Sequence, residues 1–264
     1  MISSVSIVAQ RAYPCWKLYA SQLERFAKYI IAIFYCRSVI LKTVVIVSAI
    51  AEWVAVKPLF PESKIEQFPF GECFNAVIDA HSIAFFHSGW GKIASAGAMQ
   101  YVIDKYSPDL IVNPGTCGGF EGLVNQGEVI LVDKTMVYDI VELMGYLDIS
   151  SYYASSLDLS WLPEPYPHPT RRALIASADS DLPPHKIPLL KSKGAVAADW
   201  ESAALAWVAR KNDARLLILR GVSDLVNEEE GEAYDNIEIF NERAKDVMKQ
   251  LVSQLPDWLN AVRL

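Results

Sequence analysis

Apolar residues fall along this chain in short unbroken runs separated by stretches of longer period. Thr43 to Ala49 (TVVIVSA), Asp109 to Val112, Glu128 to Asp133, Ala173 to Ser177, Ala195 to Ala198 and Leu216 to Leu219 are short, apolar and often β-branched. Such runs predict strands buried on both faces. Ala76 to Asp79 and Ile83 to Ser88 predict two more strands, joined by a tight connection. Helical spacing occupies the intervals. One helix is predicted over Ala51 to Leu59, closed by Pro58 and Pro61. Another runs from Lys92 to Tyr106, with Ala94, Ala98, Tyr101 and Val102 on one face, and Pro108 follows it. A third spans Ser202 to Arg210, and the last carries Ile237, Phe240, Ala244, Val247 and Leu251 at spacings of three and four. Alternating strands and helices specify one α/β domain. Residues 139 to 170 break the pattern with a Ser/Tyr-rich piece and the Pro-rich Trp161 to Pro169. They are expected to form a surface excursion or flap, over a site or at a subunit contact.

With 264 residues, 52% of them hydrophobic, the chain can bury a sizeable core. The net charge of −7 argues against nucleic acid as a partner, because such proteins carry a basic field. Cys15, Cys36, Cys73 and Cys117 form no C-x-x-C pair, which fits a reducing, cytoplasmic compartment. No H-E-x-x-H or other metal-ligand spacing is present, so neither metal nor cofactor is expected. Residues 1–42 differ from the rest: Arg11, Lys17, Arg25, Lys28, Arg37 and Lys42 face one acid, Glu24. Their apolar run, Tyr29 to Cys36, is far below the roughly 18 residues of a membrane span. This segment reads as an upstream extension, an organelle-targeting leader or an amphipathic helix, and the domain is expected over residues 43–264.

Candidate chemistry gathers where strands end. Leu216 to Leu219 leads into Arg220-Gly221-Val222-Ser223-Asp224, and an open α/β sheet binds its ligand beyond the carboxyl ends of its strands. Asp224 therefore stands where chemistry is done, although an Asp after a strand also serves simply in turns. Asp109 to Val112 leads into Asn113-Pro114-Gly115-Thr116-Cys117-Gly118-Gly119, whose glycines let backbone amides approach a ligand. Thr116 adds a hydroxyl. Cys117 has no nearby His in sequence and reads as a buried structural thiol. Gly89-Trp90-Gly91-Lys92 is not a phosphate-binding loop, since Phe86 and Ile93 stand where that loop needs Gly and Ser/Thr. Glu52 and Glu201 each open a helix, a position the helix dipole favours for an acid with or without function.

Taken together and in order, Ser88 to Lys92, Asn113 to Gly119, Asp199-Trp200-Glu201-Ser202-Ala203-Ala204 and Arg220 to Asp224 resemble the nucleoside phosphorylase/nucleosidase superfamily. Within it they are most similar to the 5′-methylthioadenosine/S-adenosylhomocysteine nucleosidases, over about residues 43 to 255. The resemblance implies a three-layer α/β sandwich, its central mixed and mostly parallel twisted sheet flanked by helices. It also implies a homodimer that cleaves the N-glycosidic bond of a purine nucleoside. In that chemistry Asp224 protonates the purine N7, from a pKa raised by burial, with support from Ser223. Glu201 grips the ribose hydroxyls beside Trp200, Arg220 and Thr116 help place the attacking water, Gly115 belongs to the substrate-binding set, and the backbone near Leu182 reads the purine edge. The family's water-activating Glu falls four residues after the Ala that ends the first strand. Here Trp53 stands there and Glu52 one residue earlier, so the role passes to Glu52 across a one-residue deletion. The stacking aromatic expected after Ser177 is replaced by Asp181, with Trp200, Phe120 or a flap residue as substitutes.

Phosphorylases of this superfamily hold phosphate with an Arg two residues before the Gly of their G-[ST]-x-G loop and with a basic residue after the first strand. This chain has Asn113 at the first position and neither Arg nor Lys in Ser48 to Val54. A phosphate dianion would be poorly held, which favours water as acceptor. The open alternatives are a related nucleosidase or phosphorylase with another nucleoside, and a nucleoside-binding or storage protein without turnover.

Overall fold

The first strand, β1 (Thr43–Val47), shows why its sequence is a continuous apolar run. Val45 and Val47 enter one core and Val44 and Ile46 the other, so both faces of the strand are buried. The computed structural model describes residues 41–145 and 149–263, and the expectations placed on residues 1–40 lie outside the described residues. After β1 come α1 (Ile50–Val56), β2 (Glu66–Phe68), β3 (Gly71–Ile78), β4 (His81–His87) and α2 (Gly91–Tyr106). Next are β5 (Leu110–Phe120), β6 (Val129–Val137), α3 (Ile149–Tyr153), β7 (Ser155–Ser156) and β8 (Arg171–Ser177). The chain closes with α4 (Ile187–Ser192), β9 (Ala195–Asp199), α5 (Ser202–Lys211), β10 (Leu216–Val226) and α6 (Ile237–Ala261).

The sheet is mixed and runs β10-β6-β8-β9-β5-β1-β4-β3-β2. Pairings β1–β4, β1–β5, β5–β10, β6–β8 and β8–β9 are parallel. Those of β6–β10, β5–β9 and β3–β4 are antiparallel. Because β10 pairs with both β6 and β5, this half of the sheet closes on itself. Helices cover both faces. Trp53 and Val56 of α1 pack with Val247, Met248, Leu251, Leu255 and Trp258 of α6 in one core. Met99 and Val102 of α2 pack with Leu205 and Ala206 of α5 in the other. A fully buried Val, Leu or Met among these contributes about 1.5–3 kcal/mol.

Three expectations change. The strands do not stop at their last apolar residue. β5 continues through Asn113 to Gly119, and β10 continues through Arg220 to Asp224, because each supplies the other's parallel hydrogen-bonding partner from Ile111–Leu216 to Phe120–Val226. The glycine cluster is therefore strand, not loop. Within residues 139–170, Val141, Leu143 and Met144 are exposed as expected, but the Pro-rich part is not a surface flap, since Leu159, Trp161 and Leu162 are buried in the core of α1 and α6. Finally, the buried side of α2 centres on Ser95, Ala98, Met99 and Val102, while Ala94 and Tyr101 are only half-buried.

Candidate active site

β10 carries a bulge at Ser223: Val222 pairs with Cys117, but Gly118 already pairs with Asp224. A bulge inserts one residue and re-aims the side chains that follow. Here it turns Asp224 into a cavity of about 770 Å³ that Ser223, Gly118, Leu182, Tyr138 and Tyr234 also line. Asp224 is 7% exposed, and the Ser223 hydroxyl donates to its Oδ1 at 2.6 Å. Burial pushes the carboxyl above the ordinary Asp range, with Glu232 and Asp181 adding to the rise, while the Ser223 bond and the Arg243 charge pull it down.

At another part of the same cavity Glu52 enters from the first turn of α1. Its Oε2 accepts from the Ala49 amide at 3.1 Å, so the acid satisfies a free amide at the start of that helix, while Ala49 has no side-chain acceptor to return the bond. Its Oε1 accepts from both the amide and the hydroxyl of Thr116, at 2.6 and 2.8 Å. Burial raises the Glu52 pKa against the lowering effects of Arg220 and of these bonds. The one-residue offset of Glu52 in the sequence does not turn it away. α1 starts at Ile50, so the third helical position faces the cavity, while Trp53 turns into the core, where its indole donates to Glu72 at 2.6 Å.

Glu201 follows β9 and precedes α5. Asp199, not Glu201, satisfies the first amide of that helix, accepting from the Ser202 N–H at 3.3 Å. Glu201 is thereby left to reach across to the Gly91 amide, which donates to its Oε1 at 3.0 Å. Gly91 has φ +83°, a conformation suited to glycine, and a Cβ there would lie 2.8 Å from Asp179 Oδ1. The Glu201 pKa rises to about 8, first through burial and then through repulsion by Asp199 and Glu52. Lys92, next to Gly91, is not free for a ligand: its ammonium pairs with Asp139 at 2.5 Å and Asp179 at 3.1 Å.

Beneath these acids lies Arg220, 2% exposed. Its Nε donates to Asp199 Oδ2 at 2.7 Å, and its Nη atoms donate to the Asn113 carbonyl and side-chain oxygens at 3.0 and 2.5 Å. Asn113 in turn donates to the Ile46 carbonyl at 2.7 Å. A Cβ on Gly115 would come within 2.9 Å of Arg220 Nη1 and 3.0 Å of Glu52 Oε1, so only glycine lets the strand pass both. Neither Arg220 nor Gly115 lines the cavity. Arg220 is a fixed charge below the carboxylates rather than a group at the cavity surface. Among the described residues no group of three or more His, Cys, Asp or Glu is arranged to hold a metal ion.

A family model described as "Phosphorylase superfamily" matches residues 43–255. The chain belongs to the phosphorylase superfamily. It is 25% identical over 201 residues to the 5′-methylthioadenosine/S-adenosylhomocysteine nucleosidase of Tolumonas auensis, covering 70% of this chain and 85% of that protein. The 5′-methylthioadenosine nucleosidase of Arabidopsis thaliana, in apo form, has the same fold, with a TM-score of 0.69 at 21% identity over 82% of this chain and 95% of its own. So does the Streptococcus pneumoniae MTA/SAH nucleosidase in complex with 8-aminoadenine, with a TM-score of 0.68 at 22% identity over 84% and 100%.

Of the residues the sequence selects in this superfamily member, Glu52, Thr116, Leu182, Trp200, Glu201, Ser223 and Asp224 all line one cavity. Phe120, considered as a stacking aromatic, does not; it is fully buried in a separate core cluster. None of the described residues of 139–170 lines it either. Trp200, the other aromatic considered for stacking, does line it, together with four aromatic groups that sequence reasoning did not place there: Tyr138, Tyr234, Trp90 and Phe240. Tyr138 directly follows β6, so the strand-end rule applied to Asp224 would have found it. Tyr234 lies beyond β10 in a segment without apolar periodicity, and nothing in the pattern marks it. Asp199 was also passed over as a separate group, although it holds Arg220, Ser177 at 2.5 Å and the Ser202 hydroxyl.

Proposed function

We propose that this chain is a purine nucleoside N-ribohydrolase acting on 5′-methylthioadenosine/S-adenosylhomocysteine-type nucleosides and releasing adenine. One observation carries the reading. A buried acid with a raised pKa, Asp224, shares a cavity with three further buried carboxylates, Glu52, Asp199 and Glu201, and among the described residues no Lys or Arg lines it. Breaking the N-glycosidic bond leaves negative charge on the purine and positive charge on the sugar. Asp224, whose carboxyl burial pushes above the ordinary Asp range, donates its proton to the purine N7. Glu201 accepts hydrogen bonds from the ribose hydroxyls, and its negative charge stabilises the cationic sugar. Glu52, held by Thr116, takes the proton of the water that attacks the anomeric carbon. Arg220 keeps the acids compact from below.

The acceptor is water rather than phosphate. Asn113 stands where a phosphorylase places an Arg, and its side chain is spent on Ile46 and Arg220. The cavity lining, with Asp181, Asp235 and the four buried carboxylates above, would repel a dianion. Product analysis tests this: the sugar is expected as the free pentose at any phosphate concentration. Formation of ribose 1-phosphate derivatives in proportion to phosphate would contradict it. We further propose a homodimer, supported by the exposed Ile50 and Val54 on the outer side of α1, with sedimentation equilibrium as the check; a monomer at micromolar concentration would contradict it. A cytoplasmic location is supported by the free Cys73 and Cys117; fractionation that finds the protein elsewhere would contradict it. No helix among the described residues is long and apolar enough to cross a membrane.

A further inference from the structure

Lys92 follows Gly91 at the start of α2, and its side chain is 17% exposed. Its ammonium donates to Asp139, in the stretch after β6, at 2.5 Å and pairs with Asp179, in the stretch after β8, at 3.1 Å. The two acids are tied to each other as well, since the Asp179 amide donates to Asp139 Oδ2 at 2.8 Å. The Lys92 amide donates to Asp179 Oδ1 at 2.7 Å, so one carboxylate holds both ends of that residue. The amide immediately before it, that of Gly91, is the one that donates to Glu201. We propose that Lys92, through Asp139 and Asp179, is a positioning residue for Glu201: the ionic clasp fixes the Gly91 amide that aims this carboxylate at the ribose, a role that rests on the nucleosidase reading above.

Glycine is the reason a clasp is needed. Gly91 reaches φ +83° at little cost, but a residue without a Cβ holds any one conformation loosely. The Gly91 and Lys92 amides belong to the rigid peptide planes on either side of the Gly91 Cα, so anchoring the second limits how the first can turn. Among the described residues no other hydrogen bond reaches the Glu201 carboxylate. Burial, Asp199 and Glu52 raise the Glu201 pKa, and this bond pulls it down. Charge explains why the clasp is built on a lysine. Burial raises the Asp139 pKa, but the Lys92 ammonium and the Asp179 amide outweigh it, so the carboxyl lies below the ordinary Asp range and is charged at neutral pH. Without the cation between them, the Asp139 and Asp179 carboxylates repel, Asp179 withdraws from the Lys92 amide, and the turn at Gly91 loses its anchor. Partly exposed ion pairs add little to global stability, so this one is better suited to fixing local geometry than to holding the fold.

Two variants separate positioning from charge. Lys92→Met removes a positive charge and Asp179→Ala a negative one, so through the field alone they move the Glu201 pKa in opposite directions. Loss of the Gly91 bond raises it in both. In full-length protein without ligand, the NMR titration of the Glu201 carboxyl carbon is expected to shift upward by about one pH unit in each variant. A midpoint that rises in Lys92→Met but falls in Asp179→Ala, or that does not move, overturns the proposal. Ligand binding gives a second readout. The probes are two C-nucleosides of adenine type, whose carbon–carbon link to the base resists hydrolysis, one carrying ribose and the other 2′,3′-dideoxyribose. Wild-type protein is expected to prefer the ribose form, and Lys92→Met to lose about tenfold of that preference in calorimetric titration. General loosening of the cavity would weaken both probes alike and leave the ratio unchanged. A preference that survives in full overturns the proposal. Protein whose Glu201 midpoint rises in both variants, yet which never distinguishes the two sugars, would contradict the nucleosidase reading and leave the hold of Lys92 on Glu201 standing.

Discussion

Thr116 donates both its amide and its hydroxyl to one oxygen of Glu52, at 2.6 and 2.8 Å. The two bonds come from β5 and orient a carboxylate that enters from α1. They also favour its ionised form, against the burial that raises its pKa. A general base works only when ionised. Removing the hydroxyl in Thr116→Val is expected to raise the Glu52 pKa further, which moves the acidic limb of the kcat/KM profile to higher pH. Glu52→Gln, which cannot accept the proton, is expected to lower kcat by about 100-fold or more. Steady-state kinetics across pH checks both.

Ser223 has the opposite consequence at the other end of the reaction. Its hydroxyl donates to Asp224 and holds down a pKa that burial has raised. Asp224 acts as an acid, so activity is lost when it ionises. Ser223→Ala is expected to raise the Asp224 pKa and to shift the basic limb of the profile to higher pH. A shift to lower pH would contradict the assignment of Asp224 as proton donor.

Glu201 links function to stability. Its pKa of about 8 in the folded protein lies above its unfolded value, near 4.5. Between these values the folded state binds more protons than the unfolded state, so stability declines as pH rises through that window. Glu201→Gln is expected to flatten this dependence, as read from urea midpoints at pH 5 and pH 8. Nucleoside binding, which gives Glu201 hydroxyl donors, is expected to release protons near pH 7. Titration in buffers of different ionisation enthalpy reads that release directly.

Arg220 and Asp199 form a buried pair at 2.7 Å, with side chains 2% and 3% exposed. Such a pair adds little over an apolar replacement, but breaking it strands a charge. Arg220→Met would leave Asp199 and Glu52 uncompensated and is expected to cost about 3–5 kcal/mol of unfolding free energy. A loss below 1 kcal/mol in denaturant titration would contradict the role given to Arg220.

The strands of the α/β scaffold were legible because each strand buried on both faces, β1 above all, writes itself as an unbroken apolar run. Their ends were not. Gly115 to Gly119 and Arg220 to Asp224 lack apolar pattern, and only their mutual parallel pairing keeps them in the sheet. Of the site residues carried by motifs, Thr116, Trp200, Glu201, Ser223 and Asp224 line one cavity, while Gly115 and Arg220 do not. Glu52 could not be placed by counting, since its direction depends on whether α1 begins at Ile50 or one residue later. Tyr234 and Leu182 are 52 residues apart, and a bond of that span leaves no trace in local spacing. The Pro-rich stretch around Trp161 misled for a related reason: proline marks irregular backbone, and says nothing about whether the side chains between are buried.

The most direct test of the central claim is adenine release from 5′-methylthioadenosine in phosphate-free buffer, by wild-type protein and by Asp224→Asn. Wild-type turnover that does not change when phosphate is added, with a loss of about 100-fold or more in Asp224→Asn, is the expected result. No release by folded wild-type protein, release that requires phosphate, or an Asp224→Asn variant with near-normal turnover would contradict it.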